Sequence, residues 1–268
     1  MIAPSAVYRR LWLPLIRRHD LCIVNSQYSR SLALEAGLRD ESISVLNPGV
    51  SLPSDRSESP SNFRREFGVE RGRMLLYVGR LTPRKGLLEF IQQGMPRLLE
   101  DEADLKLVVI GEEAKDAIGN TGIGYLSRVK SAAEQLGLEQ AVHYLGTCPD
   151  QTLEAAYQAA DVLVFPAVNR PGDVEGFGMV AIEAAAHGTP TVAFAVGGIP
   201  DAVRDGVSGT LVPEGDYSAF TRAIQRAWSD YANPAARERC RAFAAGYRWE
   251  AFGARLRHLI CHMHGAPG

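Results

Sequence analysis

Charge excess of one sign, paired cysteines, long apolar runs and internal repeats are all missing from this 268-residue chain. Its 29 basic residues face 31 acidic ones. Bulk positive charge therefore cannot drive nucleic-acid binding, and no polyelectrolyte repulsion keeps the chain unfolded. Cys22, Cys148, Cys240 and Cys261 lie far apart, which excludes a disulfide framework and reads as ordinary thiols in a reducing compartment. No run approaches the roughly 18–20 apolar residues of a membrane-spanning helix. Arg9, Arg10, Arg17 and Arg18 interrupt the start too often for a signal peptide. They bracket Leu11, Trp12, Leu13, Leu15 and Ile16, a pattern open to peripheral contact with an anionic membrane surface. Pro14 would interrupt a long lipid-facing helix and favours packing on a neighbouring domain.

What is present is a core-forming composition, 46% hydrophobic, arranged in alternating strand and helix patterns. Leu21–Asn25 and Ile43–Leu46 read as short strands, separated by a helix that Ser26 caps and Gly37 ends. Ser51–Asn62 is Ser/Pro-rich and lacks apolar periodicity, as a linker or surface loop does. Beyond it, Met74–Val78, Leu105–Ile110, Val142–Leu145, Val162–Phe165, Thr191–Phe194 and Thr210–Val212 read as strands. Helices are expected over Gly86–Leu99, disturbed by Pro96, then from Leu126 to Gly137 and after a cap at Asp150. Others follow over Gly178–His187, from a cap at Asp216 through Trp228, and from Pro234 onward. This alternation predicts an α/β fold with a doubly wound, Rossmann-like parallel sheet. Ligands of such sheets sit at the carboxyl ends of the strands. The rim there comprises Gly79–Lys85, Gly111–Gly119, Gly146–Pro149, Pro166–Gly178 and Ala195–Pro200.

Two rim loops carry chemistry. Gly79-Arg80-Leu81-Thr82-Pro83-Arg84-Lys85-Gly86 places three cations between a strand end and a helix start, suited to an anion above the helix N-terminus. In Glu175-Gly176-Phe177-Gly178-Met179-Val180-Ala181-Ile182-Glu183 the glycines admit a ligand to the backbone, and the N–H groups of Gly178 to Val180 open outward at a helix start. Glu175 precedes that helix and Glu183 lies in its second turn, so the two carboxylates flank a phosphate site from opposite ends. They suit a sugar on one side and a ribose on the other.

These motifs, GR-x4-KG and E-x7-E, resemble the donor-binding domain of the group 1 (family 4) retaining glycosyltransferases, that is, the C-terminal half of a GT-B fold. HYLG at His143–Gly146, AADVLVFPA at Ala159–Ala167, HGTPTVAFAVGGIPD at His187–Asp201 and DGVSGTLV at Asp205–Val212 extend the likeness. Asp201, where glutamate is more usual, and His187, where a small residue or cysteine is, depart from it. The resemblance implies catalytic roles for Arg80, Lys85 and Glu175. The cations would bind the diphosphate of a nucleoside diphosphate sugar, and Glu175 the hydroxyls of the transferred hexose. Gly79, Gly176, Phe177, Gly178, Met179 and Val180 would line the donor site, with Glu183 on the ribose and Gly146–Thr147 near the base. No metal or other cofactor is expected, because the cations and helix terminus carry the leaving-group charge.

By the same resemblance, residues 1–52 are the remnant of an acceptor domain, 53–62 a linker, 63–232 the donor-binding domain and 233–268 C-terminal helices. The implied function is transfer of a hexose with retention to a glycan or glycolipid acceptor, as in polysaccharide assembly, in the cytoplasm or at its membrane. A nucleotide-sugar-binding module that needs a partner chain carrying the acceptor domain is the alternative; a GT-B sugar-nucleotide epimerase fits less well. Three weaker signals are read structurally: His143 within a strand, Cys148 without a base beside it, and the cluster Gly119-x2-Gly122-x-Gly124 as a mobile insertion. The tail His258-x2-Cys261-His262-x-His264 has metal-compatible spacing, but an apolar helix face accounts for it as well.

Overall fold

The computed structural model describes residues 10, 12–53, 59–70, 72–113 and 124–263. A small N-terminal unit contains α1 (Leu13–Ile16), β1 (Cys22–Val24), α2 (Gln27–Glu35) and β2 (Ile43–Val45), the two strands being parallel. The larger unit begins with α3 (Pro60–Glu66), β3 (Met74–Val78), α4 (Leu87–Gln93), α5 (Met95–Asp101), β4 (Lys106–Ile110) and α6 (Tyr125–Gln135). It continues with β5 (Val142–Gly146), α7 (Asp150–Ala159), β6 (Val162–Phe165), α8 (Met179–Ala186), β7 (Thr191–Phe194), α9 (Ile199–Ala202) and β8 (Gly209–Val212). Three helices close the chain: α10 (Tyr217–Asp230), α11 (Pro234–Ala245) and α12 (Trp249–Met263).

Strands β3 to β8 form one sheet in the order β5-β4-β3-β6-β7-β8, all neighbours parallel. This is the doubly wound arrangement expected from the sequence. Connections from β3 run one way and those from β6 the other, so a crevice opens between the carboxyl ends of β3 and β6. Side chains alternate across each strand. Met74 and Leu76 of β3 pack with Phe63 of α3 and Ala155, Ala156 and Tyr157 of α7. Leu75 and Tyr77 enter the core on the other face, with Phe90, Val129 and Phe220. Burial on both faces explains why these strands read as unbroken apolar runs.

Local chemistry sets most element ends as expected. Ser26 caps α2 by accepting from the Ser29 N–H at 3.0 Å, and Asp216 caps α10 by accepting from the Ala219 N–H at 2.8 Å. Four expectations change. The helix foreseen over Gly86–Leu99 is two helices meeting at Gly94, because Pro96 lacks an N–H and fits only a first turn. Asp150 is the first residue of α7, with Pro149 in the cap position; its charge favours the helix N-terminus without capping it. Arg17, read as part of a basic bracket, donates from Nε and Nη2 to the Ala36 carbonyl at 2.8 and 2.6 Å and so closes the end of α2. Helix α3 starts at Pro60, inside the Ser/Pro-rich stretch. The glycine cluster at 119–124 falls almost wholly outside the described residues, as does His264.

At the amino end of the sheet, away from the crevice, Asp161 joins two strands. Its carboxylate accepts from the Met74 N–H at 2.8 Å and from Arg64 at 3.2 Å, while its own N–H donates to the Met74 carbonyl at 2.9 Å. Asp161→Ala is expected to cost about 1–3 kcal/mol of unfolding free energy in urea titrations, because it strands the buried Met74 N–H and removes the counter-charge beside Arg64. Asp161→Asn should recover part of that loss.

Candidate functional site

The loops that follow β3 and β6 meet over the crevice. Thr82 leads into one turn of 3-10 helix, Pro83–Lys85, before α4 begins. That turn directs Arg84 and Lys85 inward, leaving them only 6% and 8% exposed. The Arg84 carbonyl accepts from the Val168 N–H at 2.9 Å, which joins the two loops through their backbones.

Their side chains converge on Glu175. Lys85 Nζ and Arg84 Nη1 both donate to Glu175 Oε2, at 2.7 and 2.5 Å. Arg84 Nε lies 2.9 Å from Asp173 Oδ1, an ion pair whose angle makes no hydrogen bond. The Lys85 ammonium also sits 4.8 Å above the Phe165 ring at the end of β6. Burial alone would push the Glu175 carboxyl up, but Lys85 and then Arg84 outweigh it and hold it below its ordinary value. At Lys85 burial is the largest influence. It lowers the ammonium's affinity for its proton despite the opposing pull of Glu175.

Backbone geometry supports this cluster from below. The Gly198 N–H donates to the Glu175 carbonyl at 2.8 Å. A Cβ at Gly198 would fall 2.0 Å from the Gly176 carbonyl oxygen, so only glycine allows the approach. Gly178 caps α8 with φ +100°, a left-handed turn that suits glycine. After it, the N–H groups of Met179 and Val180 face outward without helical partners. Phe177 is buried and packs near Tyr247, with ring centroids 6.0 Å apart.

The remaining candidates differ in position and state. Arg80 is exposed, and its side chain makes no hydrogen bond or ion pair among the described residues; its charge reaches Lys85 as a minor repulsion. Gly79 lies beside the Lys85 stem. Gly146 accepts from the Gly111 N–H at 2.8 Å, and the Thr147 hydroxyl donates to Glu112 Oε1 at 3.1 Å. Glu183 stands apart from the Glu175 cluster. Its Oε2 accepts the Tyr157 hydroxyl at 2.7 Å.

Sequence reasoning left three contributors without a role. Arg84 could not be told from its neighbouring cations. Asn25 presses its side-chain amide on Gly176, within 3.0 Å of where a Cβ would stand. Asp201, seen only as a departure, accepts from the Gln27 N–H at 2.8 Å, and its backbone carbonyl accepts the Tyr247 hydroxyl at 3.0 Å. The N-terminal unit is thereby docked on the loops after β6 and β7, and an acidic group meets the N-terminus of α2. Among the described residues no group of three or more His, Cys, Asp or Glu side chains is placed to hold a metal ion.

The model of the family described as glycosyl transferases group 1 matches residues 59–253. The chain belongs to the group 1 glycosyl transferases. D-inositol 3-phosphate glycosyltransferase of Streptosporangium roseum is 34% identical over 237 residues, which cover 84% of this chain and 52% of that protein. The protein of the same name from Corynebacterium jeikeium is 33% identical over 258 residues, 91% of this chain and 58% of its own. The chain thus spans about half the length of the curated relatives it matches. Anabaena HepE, solved in complex with UDP and glucose, superposes with a TM-score of 0.78 at 25% identity, covering 96% of this chain and 67% of that one. Sucrose-phosphate synthase from Thermosynechococcus elongatus gives 0.73 at 25% identity, covering 98% and 63%. The architecture of this group 1 glycosyl transferase is the expected C-terminal half of a GT-B fold.

The charge cluster makes stability depend on acid. With Glu175 held below its ordinary value of 4.5, its contribution is complete above that value and is lost as pH falls through the lowered one. Glu175→Gln, which leaves two buried cations short of a counter-charge, is expected to cost about 2–4 kcal/mol at pH 7. It should also flatten the fall of the melting temperature below pH 4.5, as followed by calorimetry across a pH series.

Proposed function

We propose that this chain is the donor-binding half of a retaining glycosyltransferase that takes a hexose from a nucleoside diphosphate sugar. The observation that carries this reading is the meeting of Lys85 and Arg84 with Glu175 at the sheet's switch point, beside the open N-terminus of α8. Arg80 and Lys85 bind the diphosphate, and Met179 and Val180 offer backbone N–H groups to it. Glu175 accepts hydroxyls of the hexose, Glu183 those of the ribose, and the loop at Gly146–Thr147 lies against the base. As the sugar–phosphate bond breaks, the two cations and the helix terminus stabilise the charge of the leaving nucleotide, without a metal ion. The acceptor hydroxyl attacks from the face the nucleotide leaves, with the donor phosphate assisting its deprotonation.

The acceptor is a glycan or glycolipid in this reading, and surface polysaccharide assembly is the setting. Exposed Trp12 and Leu15 beside Arg10 and Arg18 support peripheral contact with an anionic membrane surface in this reading. Among the described residues no helix is long and apolar enough to cross a membrane.

Calorimetric titration with UDP, GDP and ADP tests the donor site, and release of free sugar from the matching nucleotide sugar separates enzyme from module. Lys85→Ala and Glu183→Ala are each expected to weaken the preferred nucleotide about tenfold or more; unchanged affinity in both would refute the assignment. Arg80→Ala should weaken binding with little change in melting temperature, because Arg80 is exposed. Arg84→Ala should lower the melting temperature, because Arg84 is buried between Asp173 and Glu175.

A further inference from the structure

Glu183 is held at both ends. Its Oε2 accepts the hydroxyl of Tyr157, and its backbone carbonyl accepts Nδ1–H of His187 at 2.8 Å. Because a carbonyl oxygen can only accept, this contact also fixes the tautomer of the neutral imidazole. The rings of Tyr157 and His187 stack 5.2 Å apart at 21°. The Thr189 hydroxyl donates to the Tyr157 carbonyl and anchors that residue from behind. Tyr157, Glu183, His187 and Met179 line a cavity of about 280 Å³ together with Gly49 and Trp249.

This arrangement has a consequence for binding. A glutamate on the surface of a helix samples many rotamers, and fixing it on a ligand costs entropy. Here the phenol imposes one rotamer beforehand, which is how pre-organisation raises affinity without adding a contact. A carboxylate offers about four acceptor positions, so the one Tyr157 takes leaves enough for the two donors of a vicinal diol. Burial, and then the Glu183 charge, push the Tyr157 hydroxyl well above its ordinary value, so it stays a donor throughout the neutral range.

We propose that Tyr157 is a positioning residue that presents the Glu183 carboxylate to the 2′ and 3′ hydroxyls of a ribose and so makes the site selective for ribonucleotides. The proposal rests on the reading of Glu183 as the ribose ligand. Tyr157 acts through Glu183, to which its own hydroxyl is committed.

The test uses the full chain and calorimetry. Whichever of UDP, GDP and ADP binds tightest is compared with its 2′,3′-dideoxy analogue. Wild type is expected to bind the analogue about tenfold or more weakly. Tyr157→Phe should fold normally by circular dichroism and bind inorganic pyrophosphate as wild type does. It should shrink the ribo-to-dideoxy ratio by about threefold or more, the whole loss falling on the ribonucleotide. Tyr157→Met gives the same comparison if the phenylalanine variant is unstable. A ratio unchanged from wild type, or tighter ribonucleotide binding in the variant, overturns the role of Tyr157 and leaves Glu183 in place. A wild-type ratio near one overturns the reading of Glu183 and the proposal together. So does the absence of binding by all three nucleotides.

Discussion

Two buried cations sharing one carboxylate oxygen is the interaction around which this molecule is arranged. Charges removed from water are tolerated only when paired and well aligned, and the Lys85–Arg84–Glu175 cluster meets that condition with contacts of 2.7 and 2.5 Å. The consequence is architectural. Strands β3 and β6 diverge in connectivity at the centre of the sheet, and each sends out a loop that would otherwise be free to drift. The cluster ties those loops together, and the Gly198 N–H ties Glu175 to the loop after β7.

The site is therefore assembled before any ligand arrives, but its charges are not equally available. Arg80 is exposed and uncommitted among the described residues, whereas Lys85 is shared with Glu175. Under the proposed function, an arriving diphosphate would meet Arg80 first and compete with a carboxylate for Lys85. Glu175 would then be released toward a ligand's hydroxyl groups as its own cation turned to phosphate. Glu183 belongs to a second, independent clamp with Tyr157. The N-terminal unit forms part of the wall, because Asn25, Ser26 and Gln27 press on Gly176, Gly198 and Asp201.

Much of the fold was legible because its determinants are local. Strands covered on both faces must be apolar throughout, so β3, β6 and β7 could be read to the residue. Ser26 and Asp216 announced their helices because a capping side chain acts within three residues of itself. Legibility failed where a local rule had two outcomes. Pro96 signalled a disturbed helix but not that Gly94 would divide it into two. Asp150 looked like a cap and proved to be the first helical residue. Arg17 looked like one of four surface cations, but the end of α2 lies within its reach.

The sequence alone determined the order of elements, the doubly wound sheet, and the rim on which the site residues lie. Each follows from apolar periodicity, capping and the handedness of parallel crossovers, all of which act over short stretches of chain. Only the tertiary structure decided which of three neighbouring cations meets Glu175, and that Tyr157 holds Glu183. Those partners are 91, 90 and 26 residues apart. What brings them together is the packing of elements far apart in the chain around the sheet, which no short stretch of sequence encodes.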